Sequence, residues 1–364
     1  MIQDVVQQID RIHPYPAKFT VDLAAEYIEK YTKPGDVVYD PFVGAGTTLL
    51  ASSVMGRKSF GTDINHIAIL ISQFKLLKLS GKELNDLSSF INDFEKNYAK
   101  YIEQTELFDY PSINHWFCDN SIRVLSCIKF KIESLHSEGE RIFSKLVMSS
   151  IINTVSNQES DTRYAAKEKK GLTIPKIAEV FITRFRRIFE LYSEFNKITR
   201  TDGVAALLDS KRCGEILSND SVDLLLTSPP YVNTYDYYLY HKHRMNWLGY
   251  DVKFSMNAEI GSRREYSSLK HKEEKFNDDL LDIYRACNNV LKDGATIVMV
   301  IGDGKVAGHI YDAKDNMVNT CKKLGWKLSD YSYSELDKTS RSFQKSFRTA
   351  NKKEHILTFT KEKK

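Results

Sequence analysis

Between residues 35 and 63 the hydrophobic period of the chain changes twice. "GDVVYDPF" is a short apolar run closed by Asp40 and Pro41. "VGAGTTLLASSVMG" opens on glycines and continues at helical spacing, and "RKSFGTDIN" returns to a strand-like run ending at Asp63. Apolar runs bounded by turn residues read as buried strands, and strand, turn, helix, strand in this order reads as one right-handed βαβ unit of a parallel sheet. Five later runs have the same character: "GVAALLDS" (203–210), "SVDLLLTS" (221–228), "ATIVMVIG" (295–302), "WKLSDYSY" (326–333) and "EHILTFTK" (354–361). From about 66 to 200 the period is helical instead. Segments such as "LNDLSSFINDFEKNYAKYI" and "FSKLVMSSIINTV" space their apolar residues by three and four, with few glycines or prolines between them. The pattern predicts an α/β protein of seven strands, divided into 1–79 and 201–364 around a helical insertion at 80–200.

Composition narrows the class without deciding it. Hydrophobic residues make up 42% and charged residues 27%, which is ordinary for a globular protein, and a net charge of +4 leans mildly toward an anionic partner. Cys118, Cys127, Cys213, Cys287 and Cys321 lie far apart with no CxxC pair. An odd set so spaced argues against a disulfide framework and against a structural zinc site, and fits a cytoplasmic location. The N-terminus carries acids and no apolar core of a signal sequence, and no run approaches a membrane span, so no membrane partner is expected.

Two loops carry candidate chemistry. In "DPFVGAGTT", Asp40 ends a strand, Gly44 and Gly46 shape the turn, and Thr47 and Thr48 open a helix. Glycines there let a ligand approach the backbone more closely than a Cβ would permit, although a GxG alone also serves as a plain tight turn. Asp63, ending the next strand, stands where a carboxylate would accept hydrogen bonds from ribose hydroxyls. With no third glycine at dinucleotide spacing and no P-loop lysine, the expected cofactor contains a nucleoside but no pyrophosphate.

The second loop is "TSPPY", Thr227 to Tyr231. Two prolines end a sheet strand and hold the backbone in one shape at its carboxyl edge. Such a loop can offer the Ser228 hydroxyl and the Ser228 or Pro229 carbonyl as fixed acceptors, with Pro230 keeping the turn rigid and Tyr231 as a flat apolar face. Those parts suit an exocyclic amino group on a nucleobase. Accepting both of its hydrogens draws the nitrogen toward tetrahedral geometry and frees its lone pair. Tyrosines 235, 237, 238 and 240 follow, and are read equally as sheet-edge packing or as base contacts.

"TSPPY" together with "DPFVGAGTT", "HPYPAKF" and the acid at Asp63 resembles the S-adenosylmethionine-dependent amino-methyltransferases of DNA, in particular their cytosine-N4 branch. The resemblance covers about 11–79 and 203–361. It implies a Rossmann-like, seven-stranded methyltransferase sheet, S-adenosylmethionine as cofactor, DNA as partner with the target base flipped out, and a cognate restriction endonuclease as a further partner of such an enzyme. It places His13, Lys18, Asp40, Phe42, Gly44, Gly46 and Thr47 about the methionine part of the cofactor and Asp63 at its ribose. For the adenine contact Asp209 in "ALLDS" ranks ahead of Asp119 in "WFCDNS", because Asp209 follows a strand-like run. Ser228 favours cytosine, since adenine enzymes more often carry Asp or Asn there. Adenine N6, an RNA base, or a non-catalytic nucleic-acid binder on the same scaffold stand as alternatives.

Basic clusters supply the expected nucleic-acid contacts. Arg163 to Arg187 holds eight basic residues against two acids, among them Lys167, Lys169, Lys170 and Arg184. "HKHR" and "GSRRE" add Lys242, Arg244, Arg263 and Arg264, and Lys338 to Lys353 holds six basic residues and no acid, including Arg341, Lys345 and Arg348. Charge runs are often only solvated faces, but their placement around the two loops raises a phosphate-binding role. His241 and His243 read as surface or phosphate contacts, not metal ligands, and the helical insertion is where target recognition is expected.

Overall fold

In the computed structural model, which describes residues 2–161, 163–335 and 352–363, the seven strand runs join in one sheet. The strands are β1 (Val37–Asp40), β2 (Lys58–Asp63), β3 (Gly203–Leu207), β4 (Val222–Thr227), β5 (Leu291–Gly302), β6 (Trp326–Glu335) and β7 (Lys353–Lys361). Their order is β3-β2-β1-β4-β5-β7-β6. β1 to β5 are mutually parallel where they pair, and β7 alone runs against its neighbours β5 and β6. The fold is the Rossmann-like, seven-stranded α/β sheet expected from the sequence.

The order of connections decides where a ligand can sit. From β1 the chain steps outward through β2 to β3, then returns to β4 on the other flank of β1. Such a reversal opens a crevice at the carboxyl ends of the two strands on either side of it, because their following loops diverge to opposite faces. Asp40 ends β1 and Thr227 ends β4. Both loops singled out from the sequence therefore leave the sheet at its switch point.

The chain divides into two compact units: Pro16–Ser72, Arg200–Tyr238 and Lys253–Lys364 form the sheet unit, and Met1–Tyr15, Gln73–Thr199 and Leu239–Val252 form a helical one. These limits differ from the expected single insertion at 80–200. The helical unit also takes the N-terminal helix and most of the helix Tyr237–Leu248, and the boundary runs through the middle of "HPYPAKF". Its helices are well marked locally. Ser80 with Glu83, and Ser137 with Glu140, make capping boxes that start Gly81–Gln104 and Glu138–Ile151, and the Ser137 hydroxyl donates to Glu83 at 2.7 Å to tie the two starts together. Phe74, Phe143, Phe181, Phe185 and Tyr192 interlock inside it with ring centroids 5.1 to 5.8 Å apart.

One element there was not expected. Gln158–Ser160 pairs antiparallel with Arg163–Ala166 as a two-stranded ribbon. Its stretch "NQESDTRYAA" has no apolar alternation, so periodicity had nothing to detect. No helix among the described residues is long and apolar enough to cross a membrane.

The N-terminal helix Ile2–Asp10 is fastened by a buried ion pair. Lys75 Nζ donates to Asp10 Oδ1 at 2.7 Å and lies near the Asp10 carbonyl at 3.2 Å, and the two side chains are 0% and 5% exposed. Removing one partner of such a pair leaves the other charge buried and uncompensated. Asp10→Ala is therefore expected to destabilise the protein by about 3–5 kcal/mol, read from the urea-unfolding midpoint. An unshifted midpoint would show that Lys75 is solvated in solution.

Candidate active site

Asp40 is the hub of the switch point. Its carboxylate is buried, with Oδ1 accepting the Thr227 hydroxyl at 2.6 Å and the Phe42 amide at 3.1 Å. Oδ2 accepts the Thr48 hydroxyl at 2.7 Å, and Thr48 Oγ also lies 3.2 Å from the Leu226 carbonyl. One carboxylate thus joins the end of β1, the first turn of the helix Thr47–Val54 and the residue just before Ser228. Neither threonine had been assigned a role from the sequence. The only trace of the pairing is that each lies where its loop leaves or enters an element.

Asp63 does a parallel job one strand over. Oδ2 accepts the Gly44 amide and Oδ1 the Asn65 amide, each at 2.9 Å. Burial pushes both carboxyls up, Asp40 and Asp63 each to about 6, against the opposing pull of these donors. Among the described residues neither meets a basic side chain. Two buried carboxylates held only by amides and hydroxyls favour a cationic neighbour, which is the fit that a sulfonium and ammonium-bearing cofactor would make.

The glycine turn also has reasons within the fold itself. Gly44 and Gly46 have φ of 47° and 73°, the left-handed region that glycine enters freely. A Cβ on Gly46 would stand 2.7 Å from Ser72 Oγ and 2.9 Å from Ser72 Cα, and Ser72 Oγ donates to the Gly44 carbonyl at 3.1 Å. At Gly46 the close approach is made by a neighbouring helix, so the requirement is one of packing as well as backbone shape. Thr47 is buried at the start of the helix Thr47–Val54, and Phe42 sets its ring edge-on to Tyr284.

The proline loop is fixed at its far end. Pro229 is buried, while Ser228 and Pro230 are half-buried. Tyr231, read from the sequence as a flat apolar face, is 6% exposed: its hydroxyl donates to Glu354 at 2.7 Å, and its ring lies on Gly302, where a Cβ would come within 2.6 Å. Tyr235 and Tyr240 are buried, and Tyr237 and Tyr238 half-buried. The run is packed into the fold, and the buried Glu259 carboxylate, 21 and 22 residues further on, accepts the Tyr238 and Tyr237 amides at 2.8 Å.

Other candidates are distributed unevenly. Lys18 belongs to the sheet unit and is half-buried. Asp209 follows β3 at the same edge as Asp40 and Asp63, half-buried, and accepts the Lys211 amide at 3.0 Å to start a short turn. Asp119 opens the helix Asp119–Glu133 in the helical unit and is exposed. His13 lies in the helical unit with both ring nitrogens engaged, Nδ1 at 2.9 Å from the Pro14 carbonyl and Nε2 at 2.9 Å from Ser149 Oγ. Burial, reinforced by the Arg244 charge, pushes it down to about 3, which favours the neutral ring.

The basic residues divide in the same way. Lys167 and Lys170 are exposed, as a phosphate contact requires. Lys242 is half-buried with its ammonium 5.6 Å over the Tyr164 ring, and Lys169 Nζ reaches the Asn153 carbonyl. Arg184 donates to Ser150 Oγ at 3.1 Å and to the Ile12 carbonyl, Arg263 to the Thr234 carbonyl at 3.0 Å, and Arg264 is half-buried. Arg244 overturns its expected surface role. It is 2% exposed, ion-paired with Asp161 and bonded to the Ser149 and Tyr240 carbonyls, because a charge at that position is stable only when its donors are filled. His241 and His243 are likewise buried, not surface residues, and His243 stacks on Tyr164 with centroids 5.3 Å apart. Arg341, Lys345 and Arg348 lie outside the described residues. No cluster of three or more metal-binding side chains occurs among the described residues.

Comparison with known proteins shows the family. Over 389 aligned residues the chain is 22% identical to the type II methyltransferase M.MjaII of Methanocaldococcus jannaschii, covering 82% of this chain and 73% of that protein. It is 28% identical to M.MvaI of Kocuria varians over 69% of this chain and 59% of the relative, and 26% identical to M.BsoBI of Geobacillus stearothermophilus over 66% and 52%. The chain thus spans between about half and three quarters of the lengths of these relatives. The profile of the DNA methylase family, which covers N6 and N4 enzymes, matches residues 2–74 and 222–364, taking in the glycine turn, both carboxylates and the proline loop, and the chain belongs to that family.

Proposed function

We propose that this chain is a DNA methyltransferase that uses S-adenosylmethionine to methylate the exocyclic N4 amino group of a flipped cytosine. The observation that carries this is the Asp40 carboxylate, which bonds the glycine-turn helix through Thr48 and the proline loop through Thr227. A cofactor cradle and an amino-group clamp are thereby coupled at one sheet edge.

The cofactor supplies an activated sulfonium methyl, so the reaction needs alignment more than a strong base. Asp63 and the Gly44–Gly46 turn hold its nucleoside and methionine ends, with Asp40, Phe42, Thr47 and Lys18 around the turn and Asp209 toward the adenine. Ser228 Oγ and the carbonyls of Ser228 and Pro229 accept the two hydrogens of the base amino group, keeping its lone pair directed outward. Tyr231, seated on Gly302, takes the base on its other face once that face is uncovered. Ser228 in place of an acid or amide is what selects cytosine. Lys167, Lys170 and Lys242 serve the DNA backbone, and a restriction endonuclease of matching specificity is the natural companion.

Mass spectrometry of nucleosides from a methylated random-sequence DNA pool decides the chemistry. N4-methylcytosine is the expected product; N6-methyladenine alone, or modified RNA alone, would overturn the assignment. Asp63→Ala is expected to weaken cofactor binding by about tenfold or more, since a charge-assisted hydrogen bond contributes about 1.5–3 kcal/mol. Tyr231→Ala leaves cofactor affinity near wild type and lowers turnover; calorimetry and single-turnover rates separate the two. Because a cationic cofactor favours the ionised form of carboxyls whose free value is about 6, its affinity falls as pH drops through 6 and binding there releases protons. Titration in buffers of different ionisation enthalpy reads that release, and a pH-independent affinity would argue against both carboxylates facing the cofactor.

A further inference from the structure

The segment just after the proline pair, Tyr231 to Tyr238, is clasped by a second segment, Glu259 to Ser267, within the sheet unit. The Asn233 amide donates to the Gly261 carbonyl at 2.7 Å, and the Ser267 hydroxyl donates to Asn233 Oδ1 at 2.8 Å. Arg263 Nε donates to the Thr234 carbonyl at 3.0 Å, and the Arg264 amide donates to Asp236 Oδ1 at 3.2 Å. At its far end the buried Glu259 carboxylate takes the Tyr237 amide on one oxygen and the Tyr238 amide on the other, both at 2.8 Å. These are the first two amides of the helix Tyr237–Leu248, which have no partner within the helix itself. Asn233 is in the left-handed region at φ 55°, so its loop has one shape that the clasp must hold against strain.

We propose that Glu259 is a positioning residue for methyl transfer: by binding the Tyr237 and Tyr238 amides it closes the clasp that fixes the loop carrying Ser228, Pro229, Pro230 and Tyr231. This rests on the methyltransferase assignment above, and extends it to a residue outside both motifs. Glu259 touches neither base nor cofactor in this scheme; it acts through the backbone it holds. Its free carboxyl is pushed up to about 8 by burial, with the like charges of Asp236 and Asp63 adding to the effect and Tyr238 also facing it. Only the ionised form accepts both amides fully, so the clasp tightens as pH rises through that value.

The test compares the full chain with Glu259→Ala and Glu259→Gln, using tritiated S-adenosylmethionine and the random-sequence DNA pool. Single-turnover transfer per folded molecule is expected to fall by about tenfold to a hundredfold in Glu259→Ala, the scale of a small misplacement of reacting groups. Cofactor affinity should stay within about threefold, because the cradle at β1 and β2 is unaltered. Glu259→Gln, which keeps one acceptor oxygen, should recover part of the rate and lose the rise that the wild type shows from about pH 7 to about pH 9. Hydrogen exchange at the Tyr237 and Tyr238 amides should quicken in Glu259→Ala. A folded Glu259→Ala protein with wild-type rate and protected amides would overturn the proposal, as would a rate loss accounted for by unfolded protein alone, with no partial rescue by glutamine. If the wild type methylates neither DNA nor RNA, the functional assignment fails, while the exchange measurement still decides whether Glu259 holds this loop.

Discussion

Burying the Asp40 carboxylate is the constraint on which the site depends. A charge removed from water at the end of β1 is costly unless donors surround it. Three donors do so: the Thr48 hydroxyl, the Thr227 hydroxyl and the Phe42 amide. Hydrogen bonds to a charged group contribute about 1.5–3 kcal/mol each, and the three together oppose, without cancelling, the burial that holds this carboxyl up at about 6. Since the donors come from the glycine-turn helix, from β4 and from the loop after β1, satisfying one side chain forces three segments into register at the switch point.

The rest of the sheet edge extends that logic. Asp63 draws the Gly44 amide toward β2, Ser72 leaves no space for a side chain at Gly46, and Gly302 gives the Tyr231 ring a bare backbone to rest on. The loop after the prolines is held by Asp40 through Thr227 at one end and by Glu259 at the other. A catalytic step that needs alignment more than acid–base strength is served by a rigid frame of this kind. The polar side chains Asp40, Thr227 and Glu259 around the motif are engaged in holding backbone and neighbouring segments.

The helical unit shows how a charge pattern divides once it folds. Arg184 and Arg244 fill carbonyl and carboxylate acceptors inside the unit, whereas Lys167 and Lys170 remain exposed. Arginine suits the interior because its planar fork can satisfy several fixed acceptors at once. Lysine on a flexible stem stays hydrated and available to phosphate. A basic run therefore contains both buried structural residues and exposed ones, and its net charge alone does not separate them.

The sequence by itself determined the seven strands, the parallel βαβ unit at the start of the sheet and the family, but not the reversed direction of β7. Those features rest on short-range signals: apolar runs, glycine turns and a proline pair that act over a few residues. It also placed Asp40, Asp63, Gly44, Gly46 and Ser228 in the loops that the sheet gathers at one edge. Tertiary structure alone decided what each group bonds to. Asp40 meets Thr227 at a separation of 187 residues, and His13 meets Ser149 at 136. Nothing local marks such pairs, because a buried polar group seeks any donor that chain packing brings near. For the same reason the burial of Arg244, the burial of Tyr231 and the two amides held by Glu259 became legible only when distant segments were set side by side.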